Sequence, residues 1–561
     1  MLLERARLAA KGGDGAALRD AVARLNRDRA AWSTLVREQF DAFSRAVAAA
    51  DLTEAARALV FLRNVLLPTP AFQEGLTRVS ISTALFGEPF ERFLALAPPS
   101  ATPSPPDEAL TFGQEPMGGA PTPSWTTVLT ASLNGSDAPA VFAAAGSALA
   151  RVDGQEASLP QPAGGAAPAV TPQGLLALDW NHDFRIDLLA AGNGGLRLLL
   201  QGDGGAFSDA TAIAMGAGAD PLPDVFGAWA ADLEMDGDLD VIVGVVEGAP
   251  VVLRNNGDGT WRWLRPFGEV SGLRGFGWGD LDGDGDPDAA LVDAAGDLHL
   301  FSNQQAGVLR PVETAPVRRG VIALAVGDVN GDSVLDVVTL GADGAIRRTS
   351  TGRDGWVDQP LATWPDWSGR PLPGTYRVLL GDLDNNGALD VVASGAERSR
   401  VWLGDARNEL RLLAAAPDLD VHSVADMNTD GQLDLVGLSG GQPVRLLGRG
   451  TAGYHWQVFR PRAQPIAGDQ RINSFGIGGD IEVRSGLLVQ KQTIGGSPVH
   501  FGLGARTTVD VARIVWPNGV VQAEFDRGVD DGHGGSSVVG PLPRRLWPVL
   551  LMSAAVLGRG T

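Results

Sequence analysis

Residues Asp280–Val292 read DLDGDGDPDAALV, and this stretch decides the fold. Acidic side chains occupy positions 1, 3, 5 and 9 of a short glycine-containing loop, and an apolar run follows at once. Five further copies of the pattern occur: DWNHDFRIDLLAAG from Asp179, DLEMDGDLDVIVG from Asp232, DVNGDSVLDVVTL from Asp328, DLDNNGALDVVAS from Asp382 and DMNTDGQLDLVGL from Asp426. Their first aspartates are 44 to 54 residues apart. A period of this size is typical of propellers and solenoids, because four short strands with their turns need about that length.

Each repeat also has a constant internal order. An apolar strand leads into the acidic loop, a second strand leaves it, and glycine turns introduce a third and a fourth strand, which together form a β-meander. A seventh copy, ASLNGSDAPAVFAAAG from Ala131, keeps the strand pattern but places Ser132, Asn134, Ser136 and Ala140 where the others have acidic ligands. The sequence therefore predicts a mainly β protein whose residues 125–465 form a seven-bladed β-propeller, with six metal-competent blades and one bare blade.

The repeated pattern D-x-[DNE]-x-[DN]-x-x-x-D is suited to calcium. Side chains at positions 1, 3, 5 and 9 and the backbone carbonyl at position 7 supply only oxygen ligands, in the number that a hard cation of this size prefers. We expect up to six Ca²⁺ ions. The predicted ligands are Asp179, Asn181, Asp183, Arg185, Asp187, Asp232, Glu234, Asp236, Asp238, Asp240, Asp280, Asp282, Asp284, Asp286, Asp288, Asp328, Asn330, Asp332, Val334, Asp336, Asp382, Asp384, Asn386, Ala388, Asp390, Asp426, Asn428, Asp430, Gln432 and Asp434.

The net charge of the chain supports this interpretation. Positions 1, 3, 5 and 9 of the six loops hold 20 carboxylates, and the whole chain has 66 acidic against 45 basic residues, for a net charge of −21. The loops therefore contain nearly all of the excess charge. A single acidic hairpin would be an ordinary solvated turn, but six at regular spacing favour metal binding. We expect the loop from Asp280 to be the strongest site. The loops from Asp179 and Asp328 should be weaker, because Phe184 and Ser333 stand where glycine is usual.

Outside the repeats, the composition and the apolar periodicity of the chain change. Residues 1–97 are predicted to be helical, since apolar residues recur there at steps of three and four; they are Leu18, Val22, Leu25, Trp32, Leu35, Val36, Phe43 and Val47. Asp51 followed by Glu54 predicts the start of a further helix. Residues 98–124 are rich in proline, which predicts a linker. Residues 466–527 form a separate β segment, and 528–561 are predicted to be an irregular tail.

Two parts of the sequence resemble known families. The repeats, with Phe226-Gly227 and Phe276-Gly277 ahead of two loops, resemble FG-GAP/VCBS repeats. Gly476-Ile477-Gly478, the run His500–Gly504 (HFGLG) and Trp516-Pro517-Asn518-Gly519 make residues 466–527 similar to the ASPIC/UnbV domain. The helical start is loosely similar to tetratricopeptide hairpins. The resemblance implies an extracellular, periplasmic or cell-envelope protein that binds proteins or glycans and has no assigned catalysis.

Composition excludes several classes of function. The chain has no cysteine, so disulfides and thiolate sites are impossible. Its acidity argues against nucleic acid as a partner, and no apolar run is long enough to span a membrane. The beginning, MLLERARLAAKGG, does not have the apolar stretch of a signal peptide. No GxSxG, phosphate-loop or HExxH motif occurs.

Three functions fit these features. The first, which we favour, is a non-catalytic, calcium-binding scaffold that recognises a protein or glycan. An enzyme acting on glycans through a carboxylate pair in the central channel, such as Glu247 with Asp293, is the alternative. A purely structural or adhesive module is the third. His500 is expected to be a hydrogen-bonded structural histidine, and Trp516 is expected to pack in a hairpin turn, with an exposed, sugar-stacking ring as the alternative.

Overall fold

The structure is a computed structural model that divides the chain into two compact units, Met1–Pro99 and Ser100–Thr561. The described residues are 2–66, 69, 102–117, 124–133, 138–155, 157–160, 167–216, 222, 224–305, 307–352, 355–405, 409–414, 417–463, 472–528 and 534–539. Of the helices in these ranges, none is long and apolar enough to cross a bilayer.

The first unit is helical, as predicted. Its described part contains α1 (Leu2–Gly12), α2 (Gly15–Leu25), α3 (Thr34–Ala48) and α4 (Leu52–Leu66), with a 3₁₀ turn at Asn26–Ala31. Side-chain caps define where helices begin: Asp14 accepts hydrogen bonds from the N–H groups of Ala16 and Ala17, and Asp51 accepts one from Glu54. Of the predicted apolar face, Val22 and Trp32 are half-buried, Leu35 is 56% exposed, and the other residues are buried. Most of the predicted helical residues 67–97 lie outside the described residues.

Within its described residues, the second unit contains seven consecutive antiparallel meanders. Six of them have four strands in the described residues, and the first has three: β2 (Thr127–Ala131), β3 (Ala140–Ala145) and β4 (Ala148–Arg151). The second meander is β5 (Ala169–Leu178), β6 (Asp187–Asn193), β7 (Gly195–Gln201) and β8 (Phe207–Asp209), and helix α5 (Thr211–Met215) follows it. The third is β9 (Val225–Ala231), β10 (Asp240–Val245), β11 (Val251–Asn255) and β12 (Trp261–Leu264).

The remaining meanders repeat this order. The fourth is β13 (Gly275–Gly279), β14 (Asp288–Val292), β15 (Leu298–Asn303) and β16 (Leu309–Pro311). The fifth is β17 (Val321–Gly327), β18 (Asp336–Gly341), β19 (Ala345–Gly352) and β20 (Gly355–Thr363). The sixth is β21 (Arg377–Gly381), β22 (Asp390–Gly395), β23 (Arg398–Gly404) and β24 (Leu410–Leu412). The seventh is β25 (Asp420–Ala425), β26 (Asp434–Ser439) and β27 (Gln442–Arg449), joined by β1 (Thr111–Pro116).

The first strands of neighbouring meanders contact one another around a cycle. β2 contacts β5, and contacts then continue from β5 through β9, β13, β17 and β21 to β25, which contacts β2 again. The second and third meanders are also joined into one sheet by a single parallel pair, Gln173 with Gly227. This mainly β, propeller-like arrangement agrees with the coarse fold predicted from the repeats.

Apolar clusters fill the space between neighbouring meanders. Between the sixth and seventh, for example, Val392 and Leu403 pack with Val421, Leu435 and Leu446. The second strand of each acidic-loop meander is an apolar run rather than an alternation, because both of its faces are covered; in β22 every residue is buried. The apolar surface removed from water at these contacts stabilises the ring of sheets.

Part of the predicted linker is a strand. Within residues 98–124, β1 pairs antiparallel with β27, from Thr111 opposite Arg449 to Pro116 opposite Val444. The linker prediction is therefore wrong for these residues. The physical reason is that β27 would otherwise present unpaired N–H and C=O groups at a sheet edge, and an edge strand tolerates a proline such as Pro116.

The C-terminal β domain has two sheets. One contains β31 (Val499–Gly504), β28 (His455–Pro461) and β34 (Gly534–Val539), in that order, and the other contains β30 (Leu488–Thr493), β29 (Asp480–Ser485), β32 (Thr508–Val515) and β33 (Val521–Gly528). The predicted boundaries need two corrections. β28 lies inside the predicted propeller segment, and β34 lies inside the predicted irregular tail. Both strands belong to this domain, because β28 pairs with β31 on one side and with β34 on the other.

Trp516 marks the core of the C-terminal domain. Its side chain is fully buried, and its indole N–H donates to Gln522 Oε1 at 3.2 Å. The backbone N–H of Gly519 donates to the Trp516 carbonyl at 2.8 Å, which forms the predicted turn. The packed indole is thus confirmed, and the alternative of an exposed, sugar-stacking ring is wrong.

Candidate metal centres

All six acidic loops occupy the same place in their meanders. The aspartate at position 1 directly follows the first strand, and the aspartate at position 9 is the first residue of the second strand. The six loops therefore lie along one edge of the ring of sheets, which we call the loop edge. It includes no acidic loop in the first meander, where Asn134 and Ser136 lie outside the described residues.

Backbone N–H groups hold the carboxylates at positions 1 and 9. In the Asp232 loop, Asp232 accepts hydrogen bonds from the N–H groups of Asp236 at 3.1 Å and Gly237 at 2.9 Å. Asp240 accepts from Leu233 at 3.1 Å and from Asn255, at the end of the third strand, at 2.8 Å. The same bonds recur in other loops, so the repeated sequence encodes a fixed loop conformation.

Position 7 has one feature common to all six loops. Its backbone N–H donates to the side-chain oxygen of position 5, at distances from 2.7 Å in Ala388 to 3.0 Å in Asp238. The other donors are Arg185, Asp286, Val334 and Gln432. This bond restricts the backbone at position 7, whose carbonyl is the predicted ligand.

Two loops bring three carboxylates together. One oxygen from each of Asp280, Asp282 and Asp288 lies within 4.8 Å of the others, and the same holds for Asp382, Asp384 and Asp390. Asp282 is exposed, whereas the whole Asp382 triad is buried. Three convergent carboxylates in an all-oxygen loop fit a calcium ion, to which they would contribute charge and direct ligands.

Burial and mutual repulsion raise the pKa values of the loop carboxylates. Burial is the largest cause for Asp288, whose pKa is raised to about 8, and the negative charges of Asp282 and Asp280 add to it. Burial likewise raises the pKa of Asp187 to about 8 and of Asp434 to about 7. Burial, followed by the charges of Asp384 and Asp382, raises the pKa of Asp390 well above its usual range. A bound cation would favour the charged forms of these groups.

Arginine side chains approach the carboxylates of three other loops. Arg254 forms an ion pair with Glu234 and lies 3.3 Å from Asp236. The Nη1 atom of Arg348 lies 3.0 Å from Asp336 Oδ1, and that of Arg185 lies 3.2 Å from Asp183 Oδ2. Sequence reasoning missed the arginines as competing cations, although Arg185 was within the pattern. Each one partly neutralises its loop, so the six loops are chemically unequal.

The two loops without a position 6 glycine adopt a left-handed backbone there. Phe184 has φ of 65° and Ser333 has φ of 66°, in the region where glycine is favoured. This conformation costs more for a residue with a side chain, which agrees with the reason given for expecting weaker sites. The ranking of the six sites stays a prediction.

The C-terminal domain lies against the loop edge. The His500 ring and Asn385 Oδ1 form a hydrogen bond of 2.6 Å, and the Gly504 N–H donates to the Asn385 carbonyl at 2.8 Å. The indole of Trp456 lies directly on Gly431, leaving no room for a side chain there. Burial lowers the pKa of His500 to about 3, so the ring is neutral at pH 7. The predicted hydrogen bond of His500 is thus present.

The segment before β1 also contacts the Asp382 loop. The Asp107 N–H donates to Asp384 Oδ2 at 2.7 Å, and the Ser104 N–H donates to the Asn386 carbonyl at 2.8 Å. Asp107 in turn accepts hydrogen bonds from Thr451 and Ala452. The Asp382 triad is therefore enclosed between this segment and the C-terminal domain, which the loop sequence alone did not reveal.

The carboxylate pair of the enzyme alternative lies away from the loop edge. Glu247 follows β10 and Asp293 follows β14, at the opposite ends of the second strands. Both oxygens of Asp293 are engaged: Oδ1 accepts from the N–H groups of Ala295 and Asp297, and Oδ2 lies 3.0 Å from His299 Nε2. Asp293 thus stabilises its own turn.

Comparisons with known proteins agree with the sequence resemblance. The FG-GAP-like repeat family matches residues 179–243, 232–291 and 280–339, and the ASPIC and UnbV family matches residues 469–531. The resemblance of this repeat protein with a C-terminal ASPIC/UnbV domain is thereby confirmed. The loops from Asp382 and Asp426 lie outside the matched ranges. No curated protein matches the chain.

Solved structures resemble the chain only distantly. A lectin of Agrocybe aegerita, described as recognising non-reducing terminal N-acetylglucosamine, has 17% identity and a TM-score of 0.36, over 57% of this chain and 86% of its own. BBS1N, solved in complex with ARL6DN, has 12% identity and a TM-score of 0.37, over 60% of this chain and 96% of its own.

Proposed function

We propose that the chain is a calcium-binding, seven-bladed β-propeller scaffold that recognises a protein or glycan ligand and catalyses no reaction. The observation that carries the proposal is the buried convergence of Asp382, Asp384 and Asp390, which sequence repetition extends to five related loops. Three uncompensated carboxylates in one buried place are costly unless a cation joins them.

The contacts between sheets support a closed ring of seven blades. Each meander serves as one blade, and its first strand contacts the first strand of the next, with β25 returning to β2. β1 supplies the fourth strand of the seventh blade, so that the beginning and the end of the ring share one sheet. Closure in this way covers an otherwise open edge.

Calcium is the cation that best fits the donors. The loops offer oxygen atoms from carboxylates, amides and backbone, and magnesium would keep more of its water ligands than such a loop allows. Asp280, Asp282 and Asp288 would hold one ion, and Asp382, Asp384 and Asp390 another. In both, the ion would neutralise carboxylates whose pKa values are raised by burial.

In this proposal the loop carboxylates of a rigid ring hold metal ions, which favours a binding role over a catalytic one. The C-terminal domain contacts the loop edge, which leaves the opposite edge and the domain itself for a partner. The net charge of −21 disfavours nucleic acid as that partner. We place the protein in an extracellular or cell-envelope compartment, where calcium is abundant enough to fill loops of modest affinity.

A thermal melt tests the calcium requirement. The full chain is melted with about 2 mM calcium, with the same concentration of magnesium and with excess chelator. At 100 times its dissociation constant, a ligand stabilises by about 2.7 kcal/mol per site, so several filled loops should raise the melting temperature by many degrees. Equal melting temperatures in all three solutions would show that the loops are ordinary acidic turns.

A further inference from the structure

A cavity lies between the first meander, the seventh meander and the C-terminal domain. It has a volume of about 280 Å³, far more than one water molecule needs. Thr130 and Ser132 line it from the first meander, Asp426 from the seventh, and Trp456, Arg460 and His500 from the C-terminal domain. We call it the His500 cavity. Ser132 and Asp426 both occupy position 1 of their loops. The cavity therefore lies where the first repeat, which lacks the acidic ligands, meets the last acidic repeat.

Three buried atoms that can accept a hydrogen bond, on residues that line the cavity, have no hydrogen-bond partner among the described residues. They are Ser132 Oγ, Asp426 Oδ1 and His500 Nδ1. The side chain of His500 is more than nine-tenths buried, with a relative exposure of 6%. Leaving such atoms unsatisfied costs about 1–3 kcal/mol each, and an occupant that hydrogen-bonded to them would recover that cost.

The neighbouring hydrogen bonds fix the tautomer of His500. Asn385 Nδ2 donates to the Gly431 carbonyl at 2.9 Å, so Asn385 Oδ1 faces the imidazole. His500 Nε2 is then the donor of the 2.6 Å bond, and Nδ1 is left as an acceptor. Asp426 Oδ2 already accepts from the Gly431 N–H at 2.8 Å. Because a carboxylate has about four lone-pair sites, Oδ1 can accept from an occupant while the same carboxylate serves as the predicted calcium ligand of its loop.

The lining selects the chemical class of the occupant. Two free acceptors and one hydroxyl require a molecule with several hydrogen-bond donors. Asp426 would repel an anion, and Arg460, which lines the same cavity, would repel a cation. Val424, Leu433 and Pro498 add apolar walls, which suit the C–H faces of a ring. We propose that the His500 cavity binds a neutral, hydroxyl-rich sugar residue through Ser132, Asp426 and His500.

This inference rests on the proposed recognition function and gives it a site. It assigns a role to the bare repeat: where the other loops present an aspartate at position 1, the first meander presents a hydroxyl to the cavity. A free sugar and the terminal residue of a glycan share this chemistry. The test separates these two sources.

Calorimetric titration of the calcium-loaded full chain tests the inference. The probes are glucose, galactose, mannose and N-acetylglucosamine, each as the free sugar and as its methyl glycosides, with glucuronic acid and glucosamine as charged comparators. At least one neutral sugar should bind, and the charged comparators should bind more weakly. Tighter binding of a methyl glycoside would identify a glycan terminus as the source, and tighter binding of the free form would identify a free sugar.

Two variants locate the binding. His500→Gln keeps a donor for Asn385 and removes the Nδ1 acceptor, and Ser132→Ala removes the hydroxyl from the opposite wall. Each should weaken sugar binding about 3- to 10-fold, the effect of one lost hydrogen bond. Ser208→Ala, on the exposed face of β8, is the matched control and should bind like the parent. Because Ser132 and His500 lie on different domains, both variants failing to fold is not expected.

The results distinguish this inference from the broader proposal. If no neutral sugar binds to protein that calcium stabilises, the inference is wrong and the calcium scaffold stands. Sugar binding that neither variant weakens would place glycan recognition elsewhere and also overturn the inference. Tighter binding of a charged comparator would contradict the charge argument. Binding that both variants weaken, in protein indifferent to calcium, would support the cavity and reject the metal proposal.

Discussion

The loop carboxylates are held in place by bonds that do not offset their charge. Backbone N–H groups bind Asp288 through Leu281 and Asn303, yet burial still raises its pKa to about 8. In the fifth meander, Arg348 supplies a cation to Asp336 directly. The Asp280 and Asp382 triads contain no such cation within ion-pair distance among the described residues. If our proposal is right, this difference separates a loop that is stable alone from one that needs metal.

Asp282→Asn should reduce calcium stabilisation without damaging the loop. An asparagine keeps the oxygen that accepts the Asp284 N–H and can still bond to Ser302, whose hydroxyl lies 3.2 Å from Asp282. It removes one of three convergent charges. We expect the calcium-induced rise in stability to fall by up to about 2.7 kcal/mol, one site's contribution at 100 times its dissociation constant. Stability in chelator should be unchanged or slightly higher.

Denaturant unfolding with calcium and with chelator measures both effects. Asp258→Asn is the matched control, since Asp258 is an exposed turn residue outside the acidic loops and caps the N–H of Thr260. It should respond to calcium as the parent does. An Asp282→Asn protein with the full calcium effect would remove the Asp280 triad from the candidate sites.

The positions of the carboxylates in the acidic loops could be predicted from the sequence because the loop pattern repeats. Six copies of one spacing indicated the positions 1 and 9 that the structure holds by backbone bonds. Arg254 and Arg348 were missed because they come from the third strands, at positions that the loop pattern does not specify. Asp107 and Asn385 were missed for a similar reason, since their contacts join segments that are far apart in the chain.

At the level of elements, one strand closes the ring. β1 completes the sheet of the seventh meander, and Leu110 just before it is buried in the cluster between the sixth and seventh meanders. The meanders themselves were predictable from apolar runs and glycine turns. β1 was not, because a strand rich in polar residues and flanked by prolines has no strand pattern of its own and is stabilised only by its partner.

Removal of β1 should destabilise the second unit far more than removal of the first unit. A chain of residues 100–561 retains β1, and a chain of residues 118–561 does not. The shorter chain would expose the β27 edge and the apolar cluster into which Leu110 packs. It would also lose the hydrogen bonds between Asp107 and Thr451 and between Asp107 and Asp384. We expect a melting temperature lower by many degrees and concentration-dependent aggregation through the open edge.

The longer chain is the control for this comparison. Because residues 1–99 form a separate compact unit, their removal should leave the melting of the β unit nearly unchanged. Scanning calorimetry of the two truncated chains beside the full chain gives the comparison. Equal stability of the two truncated chains would mean that β1 contributes nothing to closure.

At the scale of the whole β unit, the acidic loops and the C-terminal domain share one interface. Gly502 in β31 packs against the Asp382 loop so closely that an added Cβ would collide with Asp382 Oδ2 and the backbone of Asn385. Gly387, from the loop side, would bring an added Cβ within 2.7 Å of Leu488 Cδ2. The position of this domain could not be predicted from the sequence, because its contacts depend on three-dimensional shape rather than on a repeated motif.

Gly502→Ala should therefore loosen the interface and weaken calcium binding at the enclosed Asp382 triad. The new methyl group must displace either β31 or the loop, because one contacted group is the backbone of Asn385 and the other is Asp382 Oδ2, which the Gly387 N–H holds in place. Calcium titration should show one site with at least about tenfold lower affinity, equivalent to about 1.4 kcal/mol. Hydrogen exchange should rise at backbone amides of residues 382–390 and 499–504, and the Asp280 site should keep its affinity.

Gly495→Ala provides a control of the same chemistry in the same domain. Nothing lies within 4 Å of the position that its Cβ would take, so the substitution meets open space. It should leave both the calcium titration and hydrogen exchange at the parent values. If Gly502→Ala also left the calcium titration and hydrogen exchange unchanged, the C-terminal domain would have to lie elsewhere in solution. It would then not enclose the Asp382 triad. If exchange rose at 499–504 but calcium affinity held, the domain would dock on the loops without sharing in the binding of their metal.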